Sequence, residues 1–204
     1  MIAALFVQPR GSYYGLPDVE LWDEKKDART YAGPYPVIAH PPCARWSRLA
    51  GLVESRWGHK RGDDGGCFES ALASVRRFGG VLEHPAFTDA FAAYGLPAPN
   101  LGGWQRTLCG GWVCYVEQGR YGHPAKKATW LYAVTPAPLP SLDWCQLSDK
   151  ETRALVSWCG NRISSRADRQ RVSRRIASAT PEAFRDVLLT IARDCAAYGQ
   201  RQAL

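Results

Sequence analysis

The chain has 204 residues, 46% hydrophobic and 22% charged, which is enough for one sizeable core and excludes a disordered or fibrous protein. The start, "MIAALFVQPRG", holds only a short apolar run with no basic lead-in, so the reading excludes a signal peptide or a span and expects a cytoplasmic protein. Seven cysteines in no tight framework suit a reducing compartment. Zinc on Cys109, Cys114, Cys145 and Cys159 lacks any paired C-x-x-C spacing, so no metal is expected.

"IAALFVQP" reads as a buried first strand ending at Pro9. Gly11, Gly15 and Pro17 mark a turn-rich stretch, and "VELW" is a short second strand. The run Val37 to Ala39 stops at "HPPCARWS". Two prolines end that strand and leave Cys43 just past its carboxyl end, where open α/β sheets bind ligands. A weakly patterned helix follows in "RLAGLVESRW".

Asp63 or Asp64 can cap the next helix, Phe68, Ala71, Leu72 and Val75 recur at helical spacing, and Gly79 and Gly80 stop it. "GVLEHPAF" repeats the strand-then-proline design with Glu83 and His84 at its end. "GWVCYVE" ends in Gln118 and Arg120, and "ATWLYAV" is a further strand. Thr180 and Pro181 open a last helix with the stripe Phe184, Val187, Leu188, Ile191 and Cys195.

Alternating strands and helices predict an α/β fold: a Rossmann-like, mostly parallel twisted sheet flanked by helices, in one domain. The core is expected over 1–135, a Pro-rich and basic peripheral region over 136–178, and a C-terminal helix packing back on the core over 179–204. Cys43, Glu83 and Arg120 then converge on one rim as a thiol, a carboxylate and a guanidinium. The formal net charge is +7. Much of the excess lies in Arg162, Arg166, Arg169, Arg171, Arg174 and Arg175, a cluster suited to nucleic-acid phosphates.

"PPCARWS", "LEHP" and "EQGRYGHPAKKATWLYAV", in that order, resemble the DNA cytosine-5 methyltransferase family's Pro-Pro-Cys loop, Glu-Asn-Val/Pro strand end and fused Gln-x-Arg and Tyr-Gly-x-Pro elements. "SATPEAFRDVLLTIAR" is similar to its closing helix. The chain is also similar to short phage-encoded proteins. The resemblance implies that Cys43 adds to carbon 6 of a pyrimidine, Glu83 holds or protonates its N3 edge, Arg120 binds the 2-carbonyl and Gln118 positions loop or base. It implies DNA as partner, presented as a flipped base or a single strand. It implies S-adenosylmethionine, with Gly11 and Gly15 near its methionine end, Glu20 on the ribose and Asp27 on the adenine side.

The family's Phe-x-Gly-x-Gly loop is not intact in "LFVQPRGSYYG", and Ala44 stands where the family has Gln. Two other readings therefore stand beside the methyltransferase: an enzyme that hypermodifies a 5-hydroxymethyl pyrimidine from another donor, and a non-catalytic, anti-restriction nucleic-acid-binding protein.

Overall fold

The structure is a computed structural model that describes residues 1–47, 50–148, 151, 154–155 and 170–202. Strands β1 (Ile2–Leu5), β2 (Val19–Trp22) and β3 (Val37–Ala39) come first. Helices α1 (Ala50–Trp57) and α2 (Cys67–Phe78) lead to β4 (Gly80–Pro85) and the short α3 (Asp89–Ala93). Then come β5 (Gln105–Arg106), β6 (Trp112–Glu117) and β7 (Ala128–Val134). These seven strands form one sheet in the order β2-β1-β3-β4-β7-β6-β5. A separate parallel pair, β8 (Ala154–Leu155) with β9 (Gln170–Arg171), precedes α4 (Arg174–Ser178) and α5 (Glu182–Gln202).

The fold is mixed α/β. Strand β1 pairs in parallel with β2 and β3, and β3 with β4. The β4–β7, β7–β6 and β6–β5 pairings are antiparallel. The sheet is therefore not mostly parallel, as the sequence led us to expect. A parallel pair needs a long crossover, usually helical. Between β6 and β7 there is only a 3-10 turn, Gln118–Tyr121, and a short loop, so β7 returns antiparallel.

Helices cover both faces. Strand parity sends Ala3, Leu5, Val37, Ala39, Leu82 and Tyr132 to one face, against Phe68, Ala71, Leu72 and Val75 of α2. Ile2, Ala4, Ile38, Val81, Leu131 and Ala133 go to the other, against Phe184, Leu188, Leu189 and Ile191 of α5. Each fully buried Leu, Ile, Val or Phe among them contributes about 1.5–3 kcal/mol by leaving water. That two-sided demand makes the strands read as unbroken apolar runs.

The Asp64 carboxylate caps α2, accepting from the N–H groups of Gly66, Cys67 and Phe68. Gly79 ends it, donating to the Val75 carbonyl at 3.0 Å. Gly80 is obligatory: its φ is +110°, and a Cβ there would lie 1.9 Å from the Val37 carbonyl oxygen across the β3–β4 pairing. No described helix is long and apolar enough to cross a membrane.

Candidate active site

Strands β1, β2, β3, β4 and β6 run the same way, so their carboxyl ends share one rim. The chain leaves β1 for β2 on one side, whereas β3 lies on the other. Strand order thus reverses between β1 and β3, the switch point where open sheets bind ligands. Cys43 follows β3, and the 6–15 loop follows β1.

Glu83 anchors the rim and is 8% exposed. Its Oε2 accepts from His40 Nδ1 at 3.0 Å. Its Oε1 accepts from Gln118 Nε2 at 2.9 Å and from the Thr129 hydroxyl at 3.4 Å. Alternation along the strands puts Glu83, Thr129 and the strand-end residues His40 and Gln118 on the α5 face of the sheet. Gln118 is fully buried, and its second donation, to Thr129 at 3.0 Å, fixes its amide orientation. Its Oε1 is buried without a partner among the described residues. Tyr13, folded inward between Gly11 and Gly15, brings its hydroxyl to 2.9 Å from His40 Nε2.

The charges follow from this packing. Burial pushes the Glu83 carboxyl up, but the hydrogen bond and charge of His40, with Lys127 and His84, outweigh it and hold the group at about 2. Glu83 is therefore an ionised acceptor at neutral pH, not a proton donor. Cys43 is exposed at the loop tip. The surrounding protein still desolvates its thiol and, with the Glu83 charge, pushes it up, while Lys127 pulls the other way. Desolvation lowers the Lys127 ammonium, opposed by the attraction of Glu83 and Cys43. Lys127 Nζ donates to the carbonyls of Ala179 (2.6 Å) and Ser178 (3.4 Å), tying the turn before α5 to the rim.

Glu83 and Gln118 are thus brought together, and Cys43 lies within electrostatic reach of Glu83. Arg120 is not part of this group: it pairs with Asp143 at 3.2 Å and Glu151 at 3.4 Å. The 3-10 turn after β6 carries it off the strand line toward the 143–151 segment. Lys127 is the cation that acts on Glu83 and Cys43. Backbone strain gathers at the same rim. Among the described residues five non-glycines have positive φ, and four of them, Phe6 (+58°), Arg10 (+58°), Phe87 (+65°) and Lys127 (+41°), lie at these strand ends.

Sequence reasoning missed His40, Tyr13, Thr129 and Lys127. Two signals were present: His40 is the last residue before the prolines, and Lys127 is the last residue before the apolar run of β7.

The residues expected at S-adenosylmethionine have the following surroundings. Glu20 pairs with Ala3 across the strands, two residues short of the carboxyl end of β2, and its carboxylate is bound to Lys26. Asp27 caps a 3-10 turn and holds Arg29 at 2.8 Å. Gly11 and Gly15 bracket Tyr13, whose hydroxyl is committed to His40. No helix follows β1 to offer amide groups to an anion.

Of the arginine cluster, Arg162, Arg166 and Arg169 lie outside the described residues. Arg171 ends β9, Arg174 opens α4, and Arg175 is exposed on α4. No group of three or more His, Cys, Asp or Glu among the described residues could hold a metal ion. The chain matches no family model, no curated protein and no solved structure, so the geometry of this rim carries the functional argument.

Proposed function

We propose that the chain is a DNA-modifying transferase acting at carbon 5 of a pyrimidine, with Cys43 as nucleophile. One observation carries this reading: an exposed thiol at the end of β3 is electrostatically coupled to a buried, ionised Glu83 and to Lys127. The parallel half of the sheet, with its switch point beside Cys43, supports the Rossmann-like reading of the fold.

Glu83 accepts an N–H from the polar edge of the base and orients the ring over the thiol. Desolvation is the main cause that holds the Cys43 proton on, and that contact offsets the second, the Glu83 charge. The proton leaves to solvent and sulfur bonds to carbon 6. The π electrons of the 5,6 double bond move to carbon 5, which becomes nucleophilic. Lys127 stabilises the negative charge that develops on the ring. Carbon 5 attacks the transferable carbon of the donor, whose leaving group departs with the electron pair of the broken bond; carbon 5 then loses its proton to water, the 5,6 double bond re-forms and the carbon 6–sulfur bond breaks, returning the Cys43 thiolate.

The engagement of Glu20 and Asp27 favours a donor other than S-adenosylmethionine, and a 5-hydroxymethyl pyrimidine is then a second candidate substrate. Mass spectrometry of nucleosides from DNA incubated with the protein, with and without S-adenosylmethionine, tests the reading. A new pyrimidine nucleoside that disappears in Cys43→Ser supports it. An unmodified DNA pool under every donor leaves the non-catalytic, nucleic-acid-binding protein.

A further inference from the structure

Trp46 lies three residues past the thiol and packs with the α2 face of the core. It is 6% exposed, with its ring 6.0 Å from Phe68 and 5.8 Å from Tyr94. Any core tryptophan packs in this way, but the polar atoms of Trp46 do more. Its backbone N–H donates to the Cys43 carbonyl at 3.0 Å and closes the turn that carries the thiol. Its carbonyl accepts the Asp89 N–H at 3.0 Å, where α3 begins just after β4 and Glu83. Its indole Nε1 donates to Asp64 Oδ2 at 2.8 Å.

The anchors of these bonds are themselves fixed. Asp64 accepts the Phe68 N–H at 2.9 Å on the same oxygen and the Gly66 N–H at 3.0 Å on the other, so the indole is tied to the start of α2. Gly62 donates to the Arg45 carbonyl at 2.9 Å, and its φ is +80°. A Cβ there would lie 3.3 Å from the Trp46 ring, so the turn at 62 closes against the indole as glycine best allows. Helix α2 runs through Gly79 straight into β4. The thiol loop is therefore bound to the helix before Glu83 and to the helix after it. Pro41 and Pro42 stiffen the strand side of the loop, and Trp46 holds the other side.

We infer that Trp46 is a positioning residue for the Cys43 thiol: it ties the loop after β3 to α2 and α3, on either side of the strand that carries Glu83, and so places the sulfur at the rim before a substrate arrives. The reaction it serves rests on the proposed transferase; the tie rests on its own three bonds. Without the indole bond the loop can swing toward water. The desolvation that keeps the thiol protonated then relaxes, and Glu83 and Lys127, the charges that act on the sulfur, act from farther away. The thiol becomes easier to ionise and yet stands wrongly over the base, and a misplacement of about 1 Å costs on the order of a hundredfold in rate.

The test is alkylation of Cys43 by iodoacetamide in the full chain, followed across pH by peptide-resolved mass spectrometry. Trp46→Phe keeps an aromatic ring and removes the indole N–H. Its alkylation profile should move to lower pH, with a severalfold faster reaction at neutral pH, while kcat on DNA falls about tenfold or more and KM stays near wild type. Asp64→Asn reaches the same bond from its other partner and should give the same shift, and the double variant should add little to either single one. Ile191→Val, which loosens the core on the α5 face, should leave the alkylation profile where it is. A wild-type profile in both Trp46→Phe and Asp64→Asn would overturn the inference, and so would an equal shift in Ile191→Val. A shifted profile in a chain with no activity on DNA sinks the transferase alone. An unshifted profile in an active chain sinks the positioning role alone.

Discussion

His40 Nδ1 lies 3.0 Å from Glu83 Oε2, and this contact sets the charge of the candidate site. Without it, burial would favour a neutral carboxyl. With it, Glu83 is an ionised acceptor that can hold an N–H of a base. The same strand-end position, one residue before the two prolines, also fixes where the thiol loop departs.

Replacing His40 by Phe should therefore raise the Glu83 pKa. In the wild type Glu83 stays ionised down to about 2, so it contributes no acid limb near neutrality. In His40→Phe the acid limb of the rate profile should move upward by more than one pH unit, with activity lost at mildly acidic pH. An unshifted profile would mean that Glu83 is not the group whose charge matters.

His84 gives a stability prediction of known sign. It is fully buried against Phe68, and burial lowers its pKa from 6.5 to about 4. Between those values the unfolded chain binds the proton and the native one does not. Stability from neutral His84 is thus complete above about 6.5 and falls as pH drops toward 4, by an amount on the order of 3 kcal/mol. Denaturant titrations over this range should show the decline, and His84→Leu should flatten it. An equal slope in the variant would assign the effect to other groups.

Lys127 and Arg120 separate the geometry from the family resemblance. Lys127→Gln should lower the rate of modification at least a hundredfold with DNA affinity largely kept, the scale of losing one preorganised electrostatic donor. Lys127→Arg should retain part of the rate. Arg120→Gln should leave the rate within a fewfold of wild type, because its charge is spent on Asp143 and Glu151. The opposite ranking would restore Arg120 to the reacting group.

Arg175 is exposed on α4, next to the turn that Lys127 holds. If it contacts a phosphate, Arg175→Gln should weaken binding uniformly across sequences. It should also reduce the slope of log affinity against log salt by about one. An unchanged slope would mark Arg175 as a solvated surface group.

Much of this rim was legible in the sequence, for definite physical reasons. Pro41, Pro42 and Pro85 end strands because they lack donors, so Cys43 and Glu83 were readable as strand-end residues. Asp64, Gly79 and the stripe from Phe184 to Cys195 announced their helices through capping and periodicity. The direction of β7 was not legible. A strand buried on both faces has the same apolar run whether it pairs parallel or antiparallel. Nor was the placement of Arg120, because a 3-10 turn rotates the chain after Glu117 and no residue pattern records that rotation. His40 looked like part of a loop signal, whereas strand parity makes it the partner of Glu83. Glu20 read as a ligand-facing acid, but the register with Ala3 places it before the end of β2.

The most direct measurement is hydrogen exchange at carbon 5 of the target pyrimidine. Addition of the Cys43 sulfur to carbon 6 makes carbon 5 accept a solvent deuteron. Loss of the original proton and of sulfur then returns a labelled base, and no group donor is needed. Single-stranded DNA incubated with the protein in D2O, digested and examined by mass spectrometry, should contain pyrimidine deuterated at carbon 5. The label should vanish with Cys43→Ser and fall strongly with Glu83→Gln. Absence of the label under conditions where the DNA is fully bound, or equal labelling with Cys43→Ser, would contradict nucleophilic addition by Cys43.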